Sequence, residues 1–338
     1  MDKELIIFSD NFGTSFSGGC TATANFTRYW KDTFKKIHVV CKQTDGFLRD
    51  EIVVWLYNDQ GSLEKILSDL AVKQTIGYGD FHTSVQFIQH NIPFYFTYHD
   101  NYPEMQNLDT LNSEAEIMLE DYANVFSRAQ YVFSVSAYKL DYIKRYTDKC
   151  GIVRNGISQP ITKRKRLELV RDGRLKILMA GNISNRKYRY AIDLFDLIVE
   201  SGEIDIEVDI FGCQQDMDLL NHLSQYEFVK VAPFQGVISY DKYHIYLSTS
   251  TMENLSLSVV DSIMNCTPVL AFDVGGLHEV VNENNGVLIS PYSVEEMLIA
   301  LKEMQKSISY FNFDQGKLRE FDWEKSANSM TEIMLSNL

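Results

Sequence analysis

Short runs of β-branched and aromatic residues alternate with stretches of helical periodicity through the first 157 residues, the arrangement of a parallel sheet wound with helices. Strands are expected near residues 5–9, 38–42, 53–57, 75–78, 94–98, 131–135 and 152–154, with helices in the gaps. The pattern then breaks. Residues 158–174 hold Pro160, a basic run of Lys163, Arg164, Lys165 and Arg166, and Gly173, which is the make-up of an interdomain linker. From Leu175 a second strand-and-helix series begins, with strands expected at 176–179, 206–211, 229–231 and 269–273. Neither half shows an internal repeat or a low-complexity tract.

Size agrees with two units, because 338 residues exceed the usual span of one hydrophobic core and suit two α/β units of about 150 residues each. With 45% hydrophobic and 23% charged residues the composition is globular. Thirty-two basic residues against 46 acidic ones leave a net charge of −14, which argues against a nucleic-acid-binding surface, since that needs a cationic field. An anionic ligand must be held locally. The five cysteines (Cys20, Cys41, Cys150, Cys213, Cys266) are odd in number and lack metal-type spacing, so reduced thiols and a cytoplasmic location are expected. The opening MDKELIIFSDNF is acidic with a short apolar run, unlike a signal peptide, and no 18 consecutive apolar residues are present to span a membrane. The basic run at 163–166 leaves peripheral contact with the inner membrane face open, although such runs are more often solvated.

Candidate chemistry is densest between Thr251 and Pro291. Glu253 stands on a loop that enters an apolar helix at about Ser256, and the first N–H groups of a helix face outward, unpaired, with the positive end of its dipole. That end suits a diphosphate, with Asn254, Leu255, Ser256 and Ser258 around it. Glu253 is placed to accept hydrogen bonds from sugar hydroxyls. Asp261 follows inside the helix, roughly 12 Å further on at about 1.5 Å per residue, a span that lets it serve a ribose. The helix stops at 265–268, residues 269–273 read as a buried strand, and Gly275 and Gly276 as a turn before another short helix.

The ordered string Glu253, Asp261, Thr267, Pro268, Val269, Asp273, Gly275, Gly276 and Glu279 resembles the C-terminal signature of the family-4 retaining glycosyltransferases. Asp261 stands where that signature has a second glutamate. The resemblance implies an α/β chain of the GT-B fold, two Rossmann-like doubly wound domains facing a cleft. It implies an acceptor-side domain at 1–157, the linker at 158–174, a nucleotide-sugar domain at 175–310, and a terminal helical segment at 311–338 that crosses back to the first domain. Phe321, Asp322 and Trp323 ahead of a helix at 324–335 resemble that segment, and Val153–Ile157 resembles the turn ending the first domain, with Arg154 in place of a proline.

Further site residues follow from the same resemblance. The loop Ala180–Tyr190 falls where the family clasps the donor diphosphate: Lys187 takes the lysine position, while Asn182 and Tyr188 replace an arginine and a glycine. Arg186 is a candidate replacement, since its fork grips two phosphate oxygens. Gly18 and Gly19 match paired glycines beside the donor, where a bare backbone comes close to a ligand. His99, ending the strand at 94–98, matches a histidine on the donor sugar, although tying down the loop at Asp100 is a simpler job for it. Gly212 belongs to a loop near the nucleotide, and Phe234 to a segment whose backbone meets the base.

Two features point elsewhere and carry less weight. Asp216 and Asp218 form a DxD pair, a metal signature of a different glycosyltransferase fold, but such pairs are frequent by chance. His82 and His90 read as helix-surface residues, and the 12% aromatic content as core. The resemblance thus implies a retaining, metal-independent and cofactor-free transfer of a hexose or N-acetylhexosamine from a nucleotide sugar, UDP-linked first and GDP-linked next. The acceptor is a glycan, lipid-linked or protein-linked one. Two alternatives stand beside it: a GT-B sugar-nucleotide epimerase, and a non-catalytic sugar-nucleotide-binding subunit supporting a partner enzyme, for which the departures at Asn182 and Asp261 speak.

Overall fold

A computed structural model describes residues 3–46, 52–73, 75–107, 113–158, 174–307, 311–313 and 319–336. The chain forms two compact units, one of Met1–Gly156 with Glu320–Leu338, the other of Ile157–Arg319. The basic run at 163–166 and most of the expected linker, residues 159–173, lie outside the described residues.

Unit 1 is built on strands β1 (Glu4–Phe8), β2 (Asn11–Phe12), β3 (Lys36–Cys41), β4 (Gln43–Thr44), β5 (Ile52–Leu56), β6 (Ile76–Gly79), β7 (Phe94–Tyr98), β8 (Val132–Ser134) and β9 (Cys150–Ile152). Its main sheet is parallel, in the order β5-β3-β1-β6-β7-β8-β9, and β2 pairs with β4 beside it. Helices α1 (Gly18–Trp30), α2 (Gln60–Ala71), α3 (Val85–Gln89), α4 (Ser113–Arg128) and α5 (Leu140–Ile143) connect the strands. All five residues of β7 are buried, as a strand covered on both faces must be. Phe96, Tyr98, Tyr122 and Phe126 fill the core between the sheet and α4.

Unit 2 repeats the plan with β10 (Leu175–Ala180), α6 (Asn185–Ser201), β11 (Ile206–Phe211), α7 (Met217–Leu223), β12 (Val229–Ala232), β13 (Ile245–Ser248), α8 (Leu257–Met264), β14 (Val269–Phe272), β15 (Gly286–Ile289) and α9 (Val294–Ser307). The parallel order is β12-β11-β10-β13-β14-β15. Along α6 the buried residues Tyr188, Ala191, Leu194, Phe195 and Ile198 recur every three or four positions, one apolar stripe against the sheet.

The last helix, α10 (Trp323–Ser336), belongs to unit 1. Trp323, Ala327, Met330 and Met334 are buried on one face. Trp323 meets Phe26 edge to face at 5.3 Å, the Trp30 indole N–H donates to the Ala327 carbonyl at 3.4 Å, and Tyr95 O–H donates to the Met334 carbonyl at 3.0 Å.

Several elements differ from the reading of the sequence. Strands β13 and β15 escaped it: β13 runs straight into the hydroxyl residues Thr249, Ser250 and Thr251, and β15 opens on Gly286 after two asparagines, so neither is marked off as a β-rich run. The strand expected at 152–154 lies at Cys150–Ile152, since Arg154 turns away to donate to the Val135 carbonyl and to pair with Glu320. Gly275 and Gly276 open a 3-10 turn, Gly275–Glu279, rather than preceding a helix. No helix among the described residues is long and apolar enough to cross a membrane. In each sheet the strand order reverses beside the unit's first strand, between β1 and β6 and between β10 and β13, and the carboxyl ends of strands flanking such a reversal are where open α/β sheets take ligands.

Candidate functional site

In unit 2 the loops leaving β10 and β13 meet at that reversal. Lys187, in the first turn of α6, and Glu253, on the loop after β13, face each other with Nζ 3.2 Å from Oε1. The contact is an ion pair, and Glu253 Oε1 is buried against it. Glu253 is 7% exposed. Burial pushes its pKa up, but Lys187 and Arg186 outweigh that and hold the carboxyl below the ordinary range, so it is ionised at neutral pH.

The two loops are laced together. Thr251 N–H donates to the Arg186 carbonyl at 3.0 Å, Thr249 O–H to the Lys187 carbonyl at 2.6 Å, and the Arg186 guanidinium donates to the Met252 carbonyl. One guanidinium N–H of Arg186 is thus held by the backbone, and the remaining donors of its fork keep their charge beside Glu253. Ser250 O–H donates to the Met252 carbonyl at 3.0 Å and supports the Glu253 carboxylate. Thr249 and Ser250 lie just outside the stretch that the sequence singles out from Thr251, although a cluster of short hydroxyl residues directly after the run HIYLS was a usable signal.

The glycines prove structural in a specific way. Gly275 has φ +58, and a Cβ there would fall 1.5 Å from the Glu253 carbonyl oxygen. Gly276 N–H donates to the Asn254 carbonyl at 3.0 Å, so the pair clamps the loop that carries the acid. Gly181, with φ +144, leaves room for the Lys187 side chain, and a Cβ on Gly212 would meet the Gly181 carbonyl at 1.8 Å. Gly212 therefore closes the floor under the Lys187 loop.

Asn254, Leu255 and Ser256 are buried just ahead of α8. Ser256 is its N-cap residue, yet no side chain caps the helix. Ser256 Oγ and Ser258 Oγ lie 3.1 Å apart, and Tyr246 O–H stands 2.7 Å from Ser258 Oγ and 3.1 Å from the Ala180 carbonyl, tying α8 to β10 and β13. Asp261 sits deeper, 3% exposed, and accepts from the Ser158 N–H at 2.8 Å. Phe234 is 44% exposed on the loop after β12. The structure brings Lys187, Arg186, Glu253, Asn254, Ser256, Ser258 and Gly212 into one connected set, with Asp261 one turn further along α8 and felt by Tyr246. Asp216 caps α7 by accepting from the Leu219 N–H at 3.0 Å, a structural task for the first acid of the DxD pair.

Within unit 1, Ser17 caps α1 through the Cys20 N–H, so Gly18 and Gly19 form its first turn. A Cβ on Gly19 would lie 3.4 Å from the His99 side chain. Burial pushes the His99 pKa down to about 4, which makes the ring neutral at pH 7, and its Nε2 has no hydrogen-bond partner. His82 is not a free surface residue: its Nδ1 pairs with Asp121 at 2.9 Å.

Two doubly wound parallel units with a charged pair at a strand-order reversal define the class. HepE from Anabaena, in complex with UDP and glucose, superposes with a TM-score of 0.77 at 15% identity, over 99% of each chain. Sucrose-phosphate synthase from Thermosynechococcus elongatus does so at 0.77 and 16%, over 99% of this chain and 98% of that one. The fold is that of the GT-B glycosyltransferases. Residues 161–308, most of unit 2, match the family model of glycosyl transferases group 1. Poly(glycerol-phosphate) alpha-glucosyltransferase of Bacillus subtilis (strain 168) is 24% identical over 257 residues, 70% of this chain. The match spans about a third, 35%, of that longer protein.

Proposed function

We propose that the chain is a retaining, metal-independent glycosyltransferase that moves a hexose or N-acetylhexosamine from a nucleotide sugar, UDP-linked in the first instance, to a hydroxyl of a glycan, lipid-linked or protein-linked acceptor. The observation that carries this is the Lys187–Glu253 pair beside the start of α8, a helix with no side-chain cap. Lys187 and the first N–H groups of α8 would hold the diphosphate, and both are aimed at charge that grows on it as it departs. Glu253, already ionised, would accept hydrogen bonds from the sugar hydroxyls. The bond from the anomeric carbon to the phosphate oxygen breaks, a bond to the acceptor oxygen forms on the same face, and the acceptor proton passes to the departing phosphate. A ribose contact by Asp261 would require it to share or give up the Ser158 N–H. In unit 1, neutral His99 presents the kind of group that the resemblance assigns to the sugar.

The HepE complex with UDP and glucose and the name of the Bacillus relative support a UDP-linked hexose as donor. The test is a melting screen with nucleoside diphosphates and nucleotide sugars in EDTA, followed by transfer assays. One base family should stabilise the protein by about 2.7 kcal/mol at a hundred times its dissociation constant. In Lys187→Ala the shift should vanish and transfer fall by about tenfold to a thousandfold. A folded protein that no nucleotide stabilises would refute the proposal, and sugar conversion without acceptor would mark an epimerase.

A further inference from the structure

The reversal between β1 and β6 in unit 1 is furnished differently from the one in unit 2. Ser9 and Asp10 leave β1, Asp80 leaves β6, and Asp100 follows β7 on the neighbouring strand. Asp80 is 7% exposed. Its Oδ2 accepts from Thr23 O–H at 2.6 Å and from Ser9 O–H at 3.3 Å. Its Oδ1 is buried with no hydrogen-bond partner, and so is the hydroxyl of Ser84, which is fully buried close by: a Cβ on Gly79, the residue before Asp80, would collide with it. Buried polar atoms left unpaired are few in folded proteins, and each needs a partner from somewhere.

The surrounding groups say what kind of partner. Asp10 accepts from Tyr57 O–H at 3.2 Å and Thr83 O–H at 3.3 Å, and pairs with Lys42 at 2.8 Å. Asp100 accepts from Tyr122 O–H. Burial first, with Asp100 and Asp10 adding to it, raises the Asp80 pKa to about 6, and Cys20 in turn feels Asp80 and Asp100, so the three carboxylates share one field. Tyr78, fully buried, faces Asp80 as well. Lys42 is already paired with Asp10. A phosphate brought here would meet like charge, and repulsion of that kind is a strong discriminator. A hydroxyl would not: Ser9, Thr23, Tyr57, Thr83 and Tyr122 already satisfy these acids through O–H groups, and Asp80 Oδ1 asks for one more.

We propose that this cluster of strand-end acids binds the hydroxyls of a neutral, polyhydroxylated acceptor, with Asp80 and Asp100 as hydrogen-bond acceptors, and that it discriminates against acceptors carrying phosphate along their chain. The assignment rests on the glycosyltransferase reading and names its acceptor class.

The test offers the full chain UDP-glucose, UDP-galactose and UDP-N-acetylglucosamine, with either neutral gluco- and galacto-oligosaccharides or poly(glycerol phosphate) as acceptor. The neutral class should be used with a kcat/KM about tenfold or more above poly(glycerol phosphate). Asp80→Asn should raise the KM of the neutral acceptor about fivefold or more, with donor KM and the UDP melting shift unchanged. Asp100→Asn, at a half-buried position, should do the same and serves if Asp80→Asn fails to fold. Equal or better use of poly(glycerol phosphate), no use of neutral acceptors despite donor binding, or variants that move the donor KM instead would each overturn the assignment. Absence of both UDP stabilisation and donor turnover would defeat the glycosyltransferase reading itself, and this assignment with it.

Discussion

Single side chains here are set by neighbours that lie far off along the chain. Gly275 is the sharpest case. An alanine there needs a left-handed backbone and puts its Cβ 1.5 Å from the Glu253 carbonyl. Gly275→Ala should therefore shift the acid-bearing loop, lowering stability by about 1–3 kcal/mol and reducing transfer, as seen by melting and by turnover; unchanged values in both would show that the clamp is unimportant. Two buried acids carry opposite pH signatures. Glu253 has a lowered pKa, so its contribution is present above the ordinary Glu range and is lost as pH falls through the folded value. Asp80, raised to about 6, binds its proton more tightly in the folded state, so its contribution is present at about pH 4 and is lost as pH rises to about 6. Asp80→Asn cannot ionise. Its melting temperature relative to the wild type should climb as pH goes from about 4 to about 7, and a difference independent of pH would contradict the raised value.

At the level of elements, α8 is short and depends on what anchors it. Eight residues cannot sustain a helix alone in water, and the packing of Val259, Val260 and Ile263 together with the Tyr246–Ser258 contact holds it. Tyr246→Phe removes the phenol O–H from between Ser258 and the Ala180 carbonyl; the loss should be about 0.5–1.5 kcal/mol, with a measurable rise in donor KM. A KM equal to the wild type would mean that the helix start holds its place without this link. Elements of this kind were legible in proportion to their length and burial. Strands β7 and β11 lie at 94–98 and 206–211, as the runs FYFTY and IEVDIF indicate, because long β-branched or aromatic stretches have few other options. β13 is four residues followed by hydroxyls, and its place beside β10 depends on the sheet that encloses it.

For the whole molecule, the chain order is not the order of the units. Residues 320–338 return to complete unit 1, where Trp323 covers Gly156 and packs on Phe26, and Ser326 O–H donates to the Arg154 carbonyl at 2.6 Å. Ending the chain after Arg319 would uncover Trp30, Phe26 and Tyr95, an apolar loss of many kcal/mol at about 25 cal/mol per Å². The truncated chain should lose the protease resistance of residues 3–156 and bind a hydrophobic dye, while full protection would show that α10 is dispensable.

The sequence by itself determined the α/β class, the two-unit division, the positions of the long buried strands and the chemistry-bearing string from Glu253 to Glu279, because hydrophobic period, glycine placement and residue spacing are local properties that every fold must respect. Only the tertiary structure decided that Lys187 meets Glu253, that Arg186 donates to the Met252 carbonyl, that Asp261 accepts from Ser158, and that Asp10, Asp80 and Asp100 share one electrostatic field. Each of these joins groups on different loops, and the parallel sheet, which gathers the carboxyl ends of its strands on one edge, is what brings those loops together.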